Sequence, residues 1–168
     1  PDLRTMAAKI KMNMKWTDTG WARLYSNMMK DSSMHAAAGV VGPTAEAAHP
    51  LRGNITIGGV AMMNEFGLGI PERSFIRRAL LWSAKARNEF RYIMADVSRD
   101  VMFRGIPRAI AMRKVGEWAV QRIKETILAN VPPPNAESTI EQKGHEDTLI
   151  HTGTLYDSIG FEIKKGIE

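Results

Sequence analysis

The sequence contains no cysteine, few aromatic residues and no long apolar run. The missing thiols exclude a disulfide scaffold, a thiol nucleophile, a zinc site built on thiolates and an iron–sulfur cluster. No stretch approaches the roughly 20 apolar residues needed to cross a bilayer, so we expect no membrane partner. The first residues lack the features of a secretory signal, which favours synthesis in the cytoplasm.

Short motifs of the common enzyme classes are missing as well. The sequence has no GxGxxG, GxxxxGK[ST], GxSxG or HExxH. No motif therefore indicates a dinucleotide-binding protein, a P-loop protein, a serine hydrolase or a metalloprotease. Asp18-Thr19-Gly20 spells the aspartic-protease tripeptide, but a short helix is expected to follow it rather than the required loop and second carboxylate. We therefore expect a protein that is not an enzyme, with no catalytic residue and no cofactor.

The histidines give little support for a metal site. None of the four stands at a recognised metal-ligand spacing, and the only local cluster of potential ligands is His145-Glu146-Asp147 with His151. Solvated loop residues are the simpler interpretation of that cluster. We expect no metal.

Length and charge fit one basic domain. The 168 residues could bury one core, which predicts a single domain over residues 1–168. The net charge of +5 permits a nucleic-acid partner without requiring one. The 11 methionines suit adaptable contact surfaces better than rigid pockets.

The first half of the chain alternates strand and helix patterns. Residues 9–16 alternate apolar and polar side chains, which predicts a half-buried strand, and residues 21–29 have helical spacing. Two further strands are expected at 34–41 and 55–63, joined by an exposed loop over 42–54.

The second half reads as two long helices and a closing strand. An apolar stripe predicts one helix from Pro71 to about Val97, in which Trp82 belongs to the core, and a second helix runs from about 108 to 130 with Trp118 on its apolar side. A polar, turn-rich segment follows and predicts an extended arm or loop over 131–156, before a strand at 159–163. The predicted fold is α+β, a small, mainly antiparallel sheet with the two helices packed on one face.

Arginines of the first long helix raise the question of nucleic acid. Basic groups one to two turns apart can follow a phosphate backbone, whereas the simpler interpretation is a solvated helix face interrupted by Glu89. We favour the solvated face. The arginines concerned are Arg73, Arg77, Arg78, Arg87 and Arg91.

Two segments together resemble a known family. The first runs from Ala61 to Gly67 and continues from Ile70 to Ala79, matching N-E-[FY]-G followed by I-P-x-R-x-F-[IL]-R-x-A. The second, from Ile123 to Ile159, resembles I-K-x-x-I, P-P-N-x-x-T-x-x-K-G and L-[IV]-D-T-G-x-L-x-x-S-I in the same order. These are the signatures of tailed-bacteriophage neck and tail-completion (minor tail) proteins. One departure is His151, where the family usually has Asp.

The resemblance implies a structural virion protein at the head–tail junction. Such a protein is expected to form a homo-oligomeric ring, sixfold by preference and twelvefold as the alternative, that completes the tail end and joins it to the head connector. It would be assembled in the host cytoplasm, contact connector or head-completion and tail-tube or terminator proteins, and let DNA pass through its lumen without sequence readout. A tail terminator or head-closure ring, and a DNA-binding packaging accessory protein, are the alternatives.

The matched segments supply the candidate subunit or partner interface. Glu65 and Arg73 are expected either to pair and pin the corner before the helix or to contact a neighbouring subunit. Thr152-Gly153-Thr154 is expected to turn the chain back so that Leu155 and Ile159 dock on the sheet, and the 131–156 arm either orders against an adjacent protein or is a flexible loop. The candidate interface residues are Glu65, Arg73, Phe75, Arg77, Pro132, Pro133, Asn135, Thr139, Lys143, Thr152 and Gly153.

Overall fold

A computed structural model describes residues 19–166 of the chain, so the strand predicted at 9–16 lies outside the described residues. Its helices are α1 (Thr19–Met29), α2 (Pro43–Glu46), α3 (Ile57–Phe66), α4 (Phe75–Arg77), α5 (Ala84–Phe103), α6 (Arg108–Leu128), α7 (Glu137–Lys143) and α8 (Thr154–Asp157). Its strands are β1 (Met34–Val40), β2 (Ala48–His49), β3 (Arg52–Thr56) and β4 (Ile159–Lys165). The predicted α+β class is confirmed.

The main sheet pairs β1 with β4, two strands far apart in sequence. They run antiparallel, with Met34 opposite Lys165 and Val40 opposite Ile159. Helix α6 packs across both strands, and α5 packs against α6. The predicted strands at 34–41 and 159–163 and the predicted helix at 108–130 are confirmed to within a few residues.

A single glycine allows α6 to lie close to the sheet. A Cβ atom at Gly116 would overlap the ring of Phe161 on β4. Any larger residue at this helix position would therefore force the two layers apart.

Two groups of buried apolar residues form the core on α6. The larger group joins α3, α4, α6 and the C-terminal region, and the smaller joins α5 to the first half of α6. The larger consists of Ala61, Phe75, Ala79, Ile123, Ile127, Val131, Leu149, Leu155 and Ile159. The smaller consists of Val97, Val101, Ala111 and Val115.

The strand predicted at 55–63 is wrong, because the chain leaves β3 at Thr56 and begins α3 at the next residue. The Thr56 hydroxyl accepts a hydrogen bond from the backbone N–H of Gly59 at 3.0 Å, which caps the new helix. Gly67, at φ 69°, ends that helix and not a strand. The loop predicted at 42–54 holds α2 and the β2–β3 hairpin.

The long helix predicted from residue 71 to 97 is divided. Residues 78–82 form a wide π-helical turn, and Ser83, at ψ 119°, leaves the helical conformation before its hydroxyl caps α5. The break turns Trp82 outward, so its predicted place in the core is wrong. Trp118 is half-buried, and its indole N–H donates to the Glu89 carboxylate at 3.0 Å.

The predicted arm at 131–156 lies against the body of the protein instead of extending from it. Val131, Leu149 and Leu155 are buried in the larger apolar group, and α7 interrupts the segment. The turn at 152–154 is confirmed, with Gly153 at φ 77°. Leu155 and Ile159 are both buried in the larger apolar group, but Ile159 is the first residue of β4 and does not dock on the sheet from outside. Across residues 19–166, no helix has the length and apolar character to cross a membrane.

Helix α1 confirms the helix predicted at residues 21–29, but its apolar side chains are not buried. Trp21 and Tyr25 are exposed, although helical spacing placed them on an apolar face. The helix is held by polar contacts at its end, where the Asn27 amide donates to the Met102 carbonyl and Arg108 donates to the Met28 carbonyl.

Candidate functional site

A buried carboxylate organises the corner between α3 and α4. Glu65 is only 4 % exposed and accepts hydrogen bonds from the Ser74 hydroxyl and the Ile76 N–H, both at 2.8 Å. It also accepts from the backbone N–H and the Nε of Arg77, both at 3.0 Å. The carboxylate therefore satisfies N–H groups that the start of α4 leaves without helical partners.

The predicted pair between Glu65 and Arg73 does not form. Arg73 turns the other way, and its Nε and Nη2 donate to the carbonyls of Pro133 and Pro134 at 2.9 and 3.1 Å. A backbone carbonyl is a neutral acceptor, so these bonds hold the segment after α6 without compensating the charge of Arg73. Of the two alternatives expected for Glu65 and Arg73, the pair is wrong because the acceptors of Arg73 lie at Pro133 and Pro134, about 60 residues away in sequence, and contact with a neighbouring subunit stays a prediction.

Lys143 holds the next part of the chain in a similar way. Its Nζ donates to the carbonyls of Asp147, Thr148 and Ile150 at 2.9, 3.3 and 2.8 Å. The Asn135 amide donates to the carbonyls of Glu146 and Asp147 at 3.1 and 3.0 Å. These contacts explain why residues 131–156 fold back on the body.

A cavity of about 510 Å³ lies between this segment and the α3–α4 corner. It gathers more than half of the predicted interface residues, while Glu65, Phe75 and Arg77 belong to the adjoining corner and core, and Pro132 and Gly153 are outside its lining. The predicted residues that line it are Arg73, Pro133, Asn135, Thr139, Lys143 and Thr152. The role of these residues in a subunit interface stays a prediction.

The cavity wall carries two cations without an acidic partner. Burial lowers the pKa of the Arg73 guanidinium. Burial, and then repulsion from Arg73, lowers the pKa of Lys143, which the charge of Asp147 partly opposes. The Asp147 carboxylate itself contacts His145 and Asn130, each at 3.3 Å. Between residues 19 and 166, no ion pair reaches Arg73 or Lys143, so the wall is electrically positive.

Sequence reasoning missed several other residues of the cavity. His49 reaches it from β2, and His151 lies at the start of the turn before α8. His49 carries no motif that would predict it, because the hairpin that brings it there was expected to be an exposed loop. His151 stands within the second family motif, but it departs from that motif and was not chosen as an interface residue. Over the described part of the chain, no group of three or more histidine and acidic side chains is arranged to hold a metal ion.

A second surface lies where the α3–α4 corner meets the π-helical turn, and we call it the aromatic–arginine patch. The Arg77 guanidinium is 4.9 Å from the Phe66 ring centre and 5.4 Å from that of Trp82, and Arg78 is 5.6 Å from the Trp82 ring. Both rings are 52 % exposed. The patch consists of Phe66, Leu68, Arg77, Arg78, Leu81 and Trp82.

One signal in the sequence could have predicted this patch. Leu80, Leu81 and Trp82 are consecutive, and three successive side chains of a helix cannot all face the same core. One of them had to be exposed or the helix had to end, and both occur here.

The site thus belongs to a helix-rich α+β domain that combines a positively charged cavity with an exposed aromatic–arginine patch. No family model, curated protein or solved structure matches the chain. The motifs that frame the corner and the cavity are therefore the basis for any functional assignment.

Proposed function

We propose that the chain is a structural subunit of a tailed-phage neck, which completes the tail end and joins it to the head connector as part of a ring. The observation that carries this proposal is the aromatic–arginine patch. Residues of the first motif build it, since Glu65 fixes Arg77 and Arg77 stacks on Phe66. A function that needs these motif residues is thereby linked to an exposed surface whose composition suits contact with another protein.

The composition of the patch favours a protein partner. Tryptophan and arginine are enriched at positions that dominate binding energy in protein interfaces, and phenylalanine is common there. Arg77 is already held by Glu65 and Glu72, at 3.0 Å each, so little side-chain freedom is lost on binding. A rigid, partly apolar surface of this kind suits a permanent assembly.

Use of the patch as a contact between subunits would favour a ring. A single patch that contacts a different surface of the next subunit makes a head-to-tail contact, which closes into a ring when the rotation allows it. We favour six subunits and keep twelve as the alternative. The net charge of +5 is compatible with sequence-independent passage of DNA through the lumen.

A DNA-binding packaging protein remains the alternative from another class, because Trp82 and Arg78 are exposed beside each other and could stack on bases and meet phosphates. Filter binding of duplex DNA over a range of salt concentrations tests it. A steep salt dependence that Arg78→Gln reduces by about one unit of slope would favour this alternative.

Electron microscopy of particles made with and without the gene tests the neck proposal. We expect filled heads beside separate tails when the gene is missing. Tails of uncontrolled length would instead favour a terminator, and normally joined particles would contradict a role in the neck.

Complementation with variants connects that result to the patch. We expect Trp82→Ala to restore joined particles poorly and Tyr92→Ala to restore them fully. Tyr92 is the matched control because it is an exposed aromatic residue on α5 and lies outside the patch. Equal rescue by both variants would show that the patch is not needed to join heads to tails.

A further inference from the structure

The cavity between the α3–α4 corner and residues 131–156 contains an electrostatic imbalance. Arg73 is 8 % exposed, and Lys143 is half-buried beside it. Over the part of the chain that the structure describes, both donate only to backbone carbonyls. Removing cations from water without an opposite charge is costly, so an anion that enters the cavity gains the attraction of both.

Among residues 19–166, the other two buried charged residues are compensated. Glu65 is paired with Arg77 at 3.0 Å, and Asp100 is paired with Lys114 and Arg104 at 2.6 Å each. The cavity is therefore an exception to the way this chain treats its interior charges. Thr148, which also lines the cavity, adds a buried hydroxyl that lacks a hydrogen-bond partner within the described residues.

The number of free donors limits the anion to a small one. Lys143 has three N–H groups and directs them at three carbonyls, so it contributes charge and no hydrogen bond. Arg73 has five N–H groups, of which two are used by Pro133 and Pro134. Three N–H groups remain, two on Nη1 and one on Nη2, and one from each nitrogen forms a fork that matches the two oxygens of a single carboxylate.

The remaining lining indicates what carries the carboxylate. Apolar side chains make up much of the wall, which disfavours a fully hydrated ion such as inorganic phosphate and favours an anion with an apolar stem. The apolar residues are Val60, Met63, Ile70, Leu149 and Leu155. We propose that this cavity binds a carboxylate on an aliphatic stem, either the acidic side chain of a partner protein or a free aliphatic acid. The inference does not depend on the proposed role in the neck.

Titration of the purified chain with butyrate, followed by NMR of the cavity residues, tests the proposal. Butyramide has nearly the same shape without the charge, and we expect it to bind at least about tenfold more weakly than butyrate. This comparison uses the wild-type chain, so it stands even if a variant fails to fold. Equal shifts with butyramide, no saturable shift with butyrate, or tighter binding of inorganic phosphate would overturn the proposal.

Two variants of the cavity and one control variant test whether butyrate binds in the cavity. Arg73→Gln should weaken butyrate binding about tenfold, because it removes the carboxylate's direct partner. Lys143→Met should weaken it about threefold, because it removes a nearby charge together with three hydrogen bonds to the backbone of the cavity wall, and Lys85→Met at an exposed position of α5 should leave it unchanged. If the Lys143 and Lys85 variants behave alike while both remain folded, the cavity is not the binding site.

A short peptide pair separates the two sources of the carboxylate. Acetyl-Leu-Glu-Leu-amide is compared with its Gln counterpart and with butyrate. A Glu peptide that binds at least about tenfold tighter than both indicates a partner's side chain, whereas butyrate binding without peptide binding indicates a free acid. Failure of both the Glu peptide and butyrate overturns the proposal.

Discussion

Two regions of the molecule treat the same kinds of charge in opposite ways. Between α5 and α6, Asp100 is 1 % exposed and accepts from Lys114 and Arg104 at 2.6 Å each, while Asp96 also contacts Lys114. In the cavity, the cations Arg73 and Lys143 are more buried than Lys114 and Arg104 and, among residues 19–166, meet only carbonyl oxygens. Within the described residues, the buried charge of the first region is compensated, and the buried charges of the second region are not.

The pKa values of the charged residues also differ between the two regions. The hydrogen bond from Lys114 lowers the pKa of Asp100, and the hydrogen bond to Asp100 raises the pKa of Lys114. Burial lowers the pKa of Arg73 and is the largest cause of the lowered pKa of Lys143. Charges in the first region stabilise the folded chain, whereas those in the second are held there at a cost, which is typical of a binding site.

The largest effect is expected where the corner beside the cavity is broken. Glu65→Ala should lower the free energy of unfolding by about 3 kcal/mol, because it leaves the Ser74 hydroxyl and two backbone N–H groups without their acceptor. Urea denaturation measures it. Glu72→Ala is the matched control, since Glu72 contacts the same Arg77 from an exposed position and should cost less than about 1 kcal/mol.

Gly116→Ala should disturb the packing of α6, the helix that carries Lys114 of the compensated region. We expect a loss of about 1–3 kcal/mol in the free energy of unfolding, since the new methyl group would overlap the Phe161 ring. Gly160→Ala provides the comparison, as a Cβ there meets nothing within 4 Å. Equal stability of the two variants would show that α6 and β4 are less closely packed than described.

Asp100→Asn tests the compensated region. It should lower the melting temperature by about 5 °C at neutral pH, while Asp96→Asn, whose carboxylate is more exposed and shares Lys114, should have a smaller effect. A carboxyl with a lowered pKa in the folded state adds stability above its unfolded pKa of about 3.9 and loses it as the pH falls through the folded value. The difference between wild type and Asp100→Asn should therefore begin to shrink below about pH 4 and vanish only below the folded pKa of Asp100, and a constant difference would contradict the ion pair.

The smallest expected effect is on stability at alkaline pH, where Lys114 and Lys143 change the free energy of unfolding in opposite directions as the pH rises. Lys114 has a raised pKa, so its contribution is present below its unfolded pKa of about 10.4 and is lost as the pH rises through the folded value. Lys143 has a lowered pKa, so the folded chain releases this proton first and stability rises as the pH approaches about 10.4. Urea denaturation at several alkaline pH values measures the free energy of unfolding. Compared with wild type, Lys114→Met should lose less stability as the pH rises, and Lys143→Met should lose more. The same change in both variants would contradict the comparison.

Much of the fold could be predicted because its signals are local. Strands β1 and β4 and helix α6 follow apolar periodicity, and the glycine and proline signals around them are strong. The predictions failed where capping decided the outcome. Thr56 starts a helix despite Gly58-Gly59, and Ser83 divides what apolar spacing alone describes as one helix.

The site could be predicted only in part. The motifs selected Arg73 and Lys143, but their partners are backbone carbonyls that no residue type specifies. The pairing of Glu65 with Arg77 instead of Arg73 depends on the angle at which α4 leaves the corner. Exposure of Phe66 and Trp82 depends on what the rest of the chain leaves uncovered, which is a property of the whole fold.

The central claim is that this chain is a neck subunit that is completed by its neighbours in a phage particle. The most direct measurement is gold labelling of intact particles with an antibody against the chain, viewed by electron microscopy. We predict label at the junction of head and tail. Label on the capsid shell, or intact particles without label, would contradict the account.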